Sequence, residues 1–228
     1  MFISSDSSEK VENVLESVLA SLSDNNILTG CQIDSYLEIL NQISQKRNAK
    51  SFLFVSYLFL EILVSKGFEA AFAYLKIDPS FYDFVIFPFN NEGVWQLIVV
   101  SKYEKDKISN RKIICYDHLV SLQAHPIIRK VICFYHFISN LDSLVNEKAP
   151  NKIPFIIMRC KKVCFGSEFS DIFICQIAKS IVFGKEEVLH YVSLPIEKLR
   201  KSMITEVRLV KNKGVEFLAR NYYGNEML

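Results

Sequence analysis

Apolar positions near the start of the chain follow a helical period. Val11, Val14, Leu15, Val18, Leu19 and Leu22 recur at i, i+3, i+4, i+7, i+8 and i+11, one stripe of an amphipathic helix. Asp6 with Glu9 three residues on resembles a capping box at its start. The polar run Ser21-Leu22-Ser23-Asp24-Asn25-Asn26 ends it. A second helix is predicted behind Thr29 as N-cap, with Ile33, Tyr36, Leu37 and Leu40 on one face. Asn48 to Ala73 reads as further helix, interrupted at Gly67. The period then shortens. Phe84–Phe89 and Trp95–Val100 read as strands on either side of the turn Asn90-Asn91-Glu92-Gly93, and Ile113–Tyr116 is a strand ended by Asp117. His125–Val145 reads as helix, Ile153–Met158 as strand, and Ser170–Phe183 as a central buried helix entered through Gly166-Ser167. Glu186–Met203 continues helically with a break near Pro195. Helices first, then strands with helices between, predict an α+β protein with a central sheet. The expected organisation is an N-terminal helix and polar linker over 1–26, one domain over 27–210, and a tail over 211–228.

Composition narrows the reading. Half of the 228 residues are hydrophobic and 23% are charged, which excludes global disorder. The 27 basic and 25 acidic residues leave a net charge of +2, too even for nucleic acid as primary ligand. Eighteen Phe, ten Tyr and a mean hydropathy of +0.17 demand a very apolar core or an apolar surface covered by a partner. Ser51 to Ser65 is too short to span a bilayer and carries Glu61, so no membrane association is expected. The first ten residues, MFISSDSSEK, lack the build of a secretory signal, which fits an intracellular location. The six cysteines (31, 115, 133, 160, 164, 175) lie in apolar contexts and read as buried free thiols. Neither they nor the four His show metal-ligand spacing, so no metal or cofactor is expected. Lys105-Asp106-Lys107 and Arg111-Lys112 read as a solvated hairpin or loop. The aromatic run from Phe52 through Phe54, Tyr57, Phe59, Phe68 and Phe72 to Tyr74 reads as core.

Four local strings point further. The first runs Ile27-Leu28-Thr29-Gly30-Cys31-Gln32-Ile33-Asp34-Ser35-Tyr36. The second is Ile86-Phe87-Pro88-Phe89-Asn90-Asn91-Glu92-Gly93-Val94-Trp95, continued by Leu97-Ile98-Val99-Val100. The third is Tyr116-Asp117-His118-Leu119, and the fourth is Gly166-Ser167-Glu168-Phe169-Ser170-Asp171-Ile172-Phe173-Ile174-Cys175. In this order they resemble the ubiquitin-like-protein (SUMO/sentrin)-specific cysteine proteases, which have a papain-like fold. The likeness covers roughly Ile27 to Val182. It implies a central mixed sheet flanked by helices.

The departures from that pattern bear on function. The family's chemistry uses a thiolate at a helix N-terminus, an imidazole to take its proton, and an Asp to orient the imidazole. Here the His position is Val94 and the Asp position is Asp117. The Cys position is Ser170 if Phe173 and Cys175 set the register, or Phe169 if Gly166-Ser167-Glu168 sets it. The oxyanion Gln falls on Cys164 or Val163. Of the two Trp that clamp a substrate's Gly-Gly tail, one matches Trp95 and the other Ile27, with the early Asp at Gly30. Trp95 also has a plain reading as strand core. These residues imply a pseudoprotease and not an enzyme: an interaction or scaffold subunit of a protein complex, homo- or hetero-oligomeric. The alternative is a non-cleaving binder of SUMO or another ubiquitin-like modifier. A third reading keeps an active hydrolase with a relocated nucleophile. The stripe Val11, Val14, Leu15, Val18, Leu19, Leu22 either lies in a partner's groove or folds back on its own domain. Nuclear location is implied by the resemblance alone.

Overall fold

In the computed structural model the described residues are 6–46, 50–105, 108–116, 126–145, 155–159, 167–184 and 195–222. They form two compact units. One joins both chain ends, Met1–Lys50 with Phe165–Leu228, and the other is Ser51–Cys164.

The first unit is helical: α1 (Asp6–Ser23), α2 (Gly30–Lys46), α6 (Ser170–Val182) and α7 (Ile196–Phe217). The amphipathic stripe of α1 faces inward. Leu15, Val18 and Leu22 are buried, Val14 and Leu19 are half-buried, and the side chain of Val11 is outside the described residues. Helix α1 packs on α2 and α7, so its apolar face is covered by its own chain. After α1, Asn25 takes a left-handed φ of 58°, a conformation Asn tolerates better than most residues. Thr29 then caps α2 as the polar pattern predicts. Gln32 N–H donates to Thr29 Oγ1 at 3.4 Å, and Thr29 N–H donates to Gln32 Oε1 at 2.8 Å, a reciprocal capping box. The same Gln32 reaches back through Nε2 to Ser17 Oγ (2.8 Å) and Ser21 Oγ (2.9 Å) on α1.

Helix α6 is buried on nearly every side, as its run of Ile172, Phe173, Ile174, Cys175, Ile177, Ala178, Ile181 and Val182 dictates. Its charged Lys179 meets Glu206 of α7 at 2.5 Å. Glu206, itself buried, also accepts from Tyr36 Oη at 2.6 Å and Ser202 Oγ at 2.7 Å. A buried carboxylate this well supplied with donors ties α2, α6 and α7 together.

The second unit carries a five-stranded mixed sheet in the order β1-β2-β3-β4-β5. The strands are β1 (Phe52–Phe54), β2 (Phe84–Asn91), β3 (Val94–Lys105), β4 (Ile108–Tyr116) and β5 (Phe155–Arg159). The outer pairs are parallel and the inner pairs antiparallel. Alternate residues Val85, Phe87, Phe89, Ile98, Val100 and Ile113 meet three helices, α3 (Leu58–Ser65), α4 (Phe68–Leu75) and α5 (Pro126–Val145). Phe59 of α3 sits between Phe87 (5.5 Å) and Phe134 (5.2 Å), at the centre of that core. Among the described residues no helix is long and apolar enough to cross a membrane.

Several expectations are corrected. Asn48–Ala73 is not one helix broken at Gly67: it contains β1, then α3 and α4. A short apolar run does not distinguish strand from buried helix by period alone, and Phe52 is drawn into the sheet by stacking on Phe84 at 5.0 Å. Helix α7 runs past Met203 to Phe217, with a break at Gly214 (φ 79°, ψ 164°). Residues 185–194 lie outside the described set, as do Ile153 at the expected start of β5 and His125 before α5. Arg111 is not a solvated loop residue. It is buried in β4, where Nη1 donates to Tyr82 O at 3.1 Å, Nη2 donates to Ser80 O, and its guanidinium lies 5.4 Å from the Tyr135 ring. Carbonyls and an aromatic face satisfy the fork, which makes burial of Arg tolerable. The thiols also differ from expectation: Cys175 is buried, Cys115 is half-buried, and Cys31 and Cys133 are exposed. Tyr74 is an exposed member of the aromatic run.

Asp83 fastens the entry to β1. It accepts from Ser51 N–H at 2.8 Å and from Ser51 Oγ at 2.9 Å, with Lys102 Nζ at 3.7 Å. The Ser51 amide, against a smaller opposing effect of burial, holds its carboxyl below the ordinary value. A depressed carboxyl stabilises the fold above its unfolded value and loses that contribution as pH falls through its folded value. Asp83→Ala is therefore expected to cost about 1 kcal/mol near neutral pH. In urea melts the gap to wild type is expected to stay full above about pH 5 and to close as pH falls below the ordinary carboxylate value of about 3.9. A gap independent of pH contradicts the ionised role.

Candidate functional site

The residues matched by the resemblance fall in both units, and each half is built by local forces. In the sheet unit the β2–β3 hairpin is closed by a two-residue loop. Asn91 pairs with Val94, while Glu92 (φ 52°) and Gly93 (φ 85°) take the left-handed conformations of a type I′ turn. Asn90 Oδ1 accepts from Gly93 N–H at 2.9 Å and completes the turn. Val94 opens β3, half-buried. Trp95 follows at 6% exposure, its ring edge-on to Tyr57 at 6.0 Å. Trp95 is thus strand core with an aromatic neighbour, as its plain reading expects. Next to it Gln96 is buried with Oε1 lacking a hydrogen-bond partner among the described residues, on the face that carries Ile98 and Val100. Strand β4 ends at Tyr116, and Asp117 lies outside the described residues, as do His118, Cys160, Val163 and Cys164.

In the helical unit, Ser167–Phe169 form a 3-10 turn and Ser170 is the first residue of α6. Ser170 is 4% exposed, and Phe169 is half-buried one residue earlier with a φ of −115°. A nucleophile activated by a helix N-terminus would occupy the place of Ser170. The following residue, Asp171, is fully buried, and its Oδ2 accepts from Leu28 N–H at 2.7 Å. That bond brings the first string against the fourth across a long stretch of chain. Ile27, at the second clamp position, is 54% exposed beside it. Arg200 of α7 donates through Nη1 to Asn26 O at 3.2 Å, so both flanks of Ile27 are anchored through the backbone. Burial pushes the Asp171 carboxyl up, opposed by the amides of Leu28 and Ile172 and by the Arg200 charge. Cys175, one turn further along α6, has its thiol pushed well up by burial and next by the Asp171 and Glu206 carboxylates.

The structure thus brings Ile27, Leu28, Ser170 and Asp171 together in one unit, and Val94 and Trp95 onto one hairpin in the other. Sequence reasoning missed the Asp171–Arg200 pairing with the Asn26–Leu28 turn. The only trace of it is a charged residue at the start of an otherwise apolar helix. Among the described residues no group of three or more His, Cys, Asp or Glu is placed to hold a metal ion.

No protein-family model matches the sequence, and no curated protein matches it. Solved structures do. The chain is similar to a de-sumoylating protease at 11% identity, over 92% of this chain and 91% of that one, with a TM-score of 0.66. It is also similar to the SUMO protease Ulp1 with its catalytic cysteine oxidised to a sulfinic acid (12% identity, 91% and 96% covered, TM-score 0.56). A third similar structure is the C-terminal Ulp1 protease domain in complex with Smt3, the yeast ortholog of SUMO (12% identity, 91% and 96% covered, TM-score 0.56). The chain has the SUMO-protease fold, papain-like and α+β, with a mixed sheet flanked by helices.

Trp95 and Ile27, the positions that the resemblance matches to a tail clamp, are expected to separate in stability. Trp95→Ala removes a buried ring and should cost about 3–5 kcal/mol in thermal or denaturant unfolding. Ile27→Ala should stay within about 0.5 kcal/mol of wild type, since the side chain is mostly in water. Equal costs would mean the two residues share one packed environment.

Proposed function

We propose that this chain is a catalytically inactive SUMO-protease-like protein that serves as an interaction or scaffold subunit of a protein complex. The observation that carries the reading is the start of α6, where a buried Ser170 stands in the place a helix-activated thiolate would occupy. Val94, where the resembled pattern has its imidazole, has no proton to give or take. With Val94 there, that position supplies no base to Ser170, and a hydroxyl that is not activated is an ordinary alcohol at neutral pH. Cys175 does not substitute for it, because its thiol is buried and held in the protonated form. When such a cooperative unit loses two of its members, little beyond residual catalysis is left. A fold of this kind keeps its packed surfaces when its chemistry is gone.

A second reading has one observation of its own. One similar structure is a protease domain bound to a SUMO ortholog, and Trp95 keeps one of the two clamp positions. On that reading the chain binds a ubiquitin-like protein without cutting it.

Purified protein incubated with SUMO precursor is expected to give no cleavage above a buffer blank, and Ser170→Ala the same. Turnover that depends on a particular side chain would overturn the proposal. Immobilised SUMO separates the two readings: retention of the folded chain supports the binder, and flow-through supports a scaffold with other partners.

A further inference from the structure

The free amides at the start of a helix, and the positive end of its dipole, favour a negative charge placed there. This is the feature that lowers a thiol's pKa at a helix N-terminus. In α6 that end is already occupied. Asp171, in the first turn, is fully buried, and its Oδ2 takes the Leu28 N–H at 2.7 Å. Burial pushes its carboxyl up, and the amides of Leu28, Ile172 and Asp171 itself, with the Arg200 charge, work against burial to favour the ionised form. Its other oxygen, Oδ1, is buried without a well-formed hydrogen bond of its own. The charge that acts on it is Arg200 of α7, while Glu206 of α7 bears on Cys175 and is paired with Lys179 of α6 at 2.5 Å. Cys175 of α6 feels the same two carboxylates.

We propose that Asp171 fills the anion-holding end of α6 with the chain's own carboxylate, so that the Ser170 position holds neither a thiolate nor an oxyanion. The proposal rests on reading Ser170 as the nucleophile position and adds a second, independent block to the missing side chains. Asp171 is a positioning residue here, acting through the helix end and the Leu28 amide. Replacing Ser170 with a cysteine would place a thiol beside a buried carboxylate, where a second negative charge is disfavoured.

The test is the titration of the thiol introduced by S170C, followed by ultraviolet thiolate absorbance with wild-type protein as reference. The double variant S170C/D171N is compared in the same way, with D171N alone as its reference so that the change at Cys175 cancels. Asn is isosteric and keeps an acceptor for the Leu28 N–H. Should the double variant lack the wild-type circular dichroism, S170C/D171S supplies the comparison with a smaller acceptor. The expected result is a thiol in S170C that titrates above the ordinary cysteine value of about 8.5. Loss of the carboxylate should then lower the midpoint by at least about one pH unit. An S170C thiol already titrating below the ordinary value, or a midpoint that D171N leaves in place, overturns the proposal. Neither result depends on SUMO cleavage by the wild-type chain, so failure here is distinguishable from failure of the functional reading.

Discussion

Helix α6 has almost no side that faces water, and the helical unit depends on meeting the demands of its charged residues. Asp171 at one end is fully buried, and Lys179 in its last turn is only partly exposed. Each is answered from a distant part of the chain. Leu28 N–H meets Asp171, and Glu206, held also by Tyr36 and Ser202, meets Lys179. A buried charge left without its partner costs several kcal/mol. These contacts therefore specify how α2, α6 and α7 register on one another, where apolar contacts alone permit sliding.

The same contacts shape the segment around Ile27. The Asn26–Leu28 turn is held by Arg200 on one side of Ile27 and by Asp171 on the other. An apolar residue more than half exposed is thereby presented on a fixed backbone next to the first turn of α6. In the other unit the Glu92-Gly93 turn fixes Val94 and Trp95 with similar economy, through two left-handed residues and one Asn side chain. Both segments are fixed through their backbones, Trp95 buried and Ile27 mostly in water. At 11–12% identity to the solved proteases the backbone arrangement survives, which is what a fold held by burial pattern and a few polar ties permits.

Much of this was legible in the sequence where the signal is local. The α1 stripe, the Thr29 cap, the Asn90–Gly93 turn and the apolar run of α6 each predict their element, because period, capping and turn chemistry act over a few residues. The four strings together carried the fold. What was not legible depends on long-range partners. Phe52–Phe54 becomes a strand only because β2 lies beside it, and Arg111 is buried only because the carbonyls of Ser80 and Tyr82 await it. Asp171 matched a string without revealing that its partner is the amide of Leu28. The inward face of α1 was open between a partner's groove and its own core, since a stripe does not say what covers it. Burial of Val18 and Leu22 against the chain's own helices answers that.

On the proposed reading, the SUMO-protease fold persists here without a working nucleophile. A SUMO derivative ending in a vinyl sulfone tests it most directly, because an active-site thiolate that recognises SUMO adds to it irreversibly. Intact mass spectrometry after incubation at neutral pH is predicted to show the unmodified chain, with any slow adducts formed equally by a small vinyl sulfone, as expected of exposed thiols such as Cys31 and Cys133. A rapid, SUMO-dependent, stoichiometric adduct on one side chain would mean that the chain carries a working nucleophile.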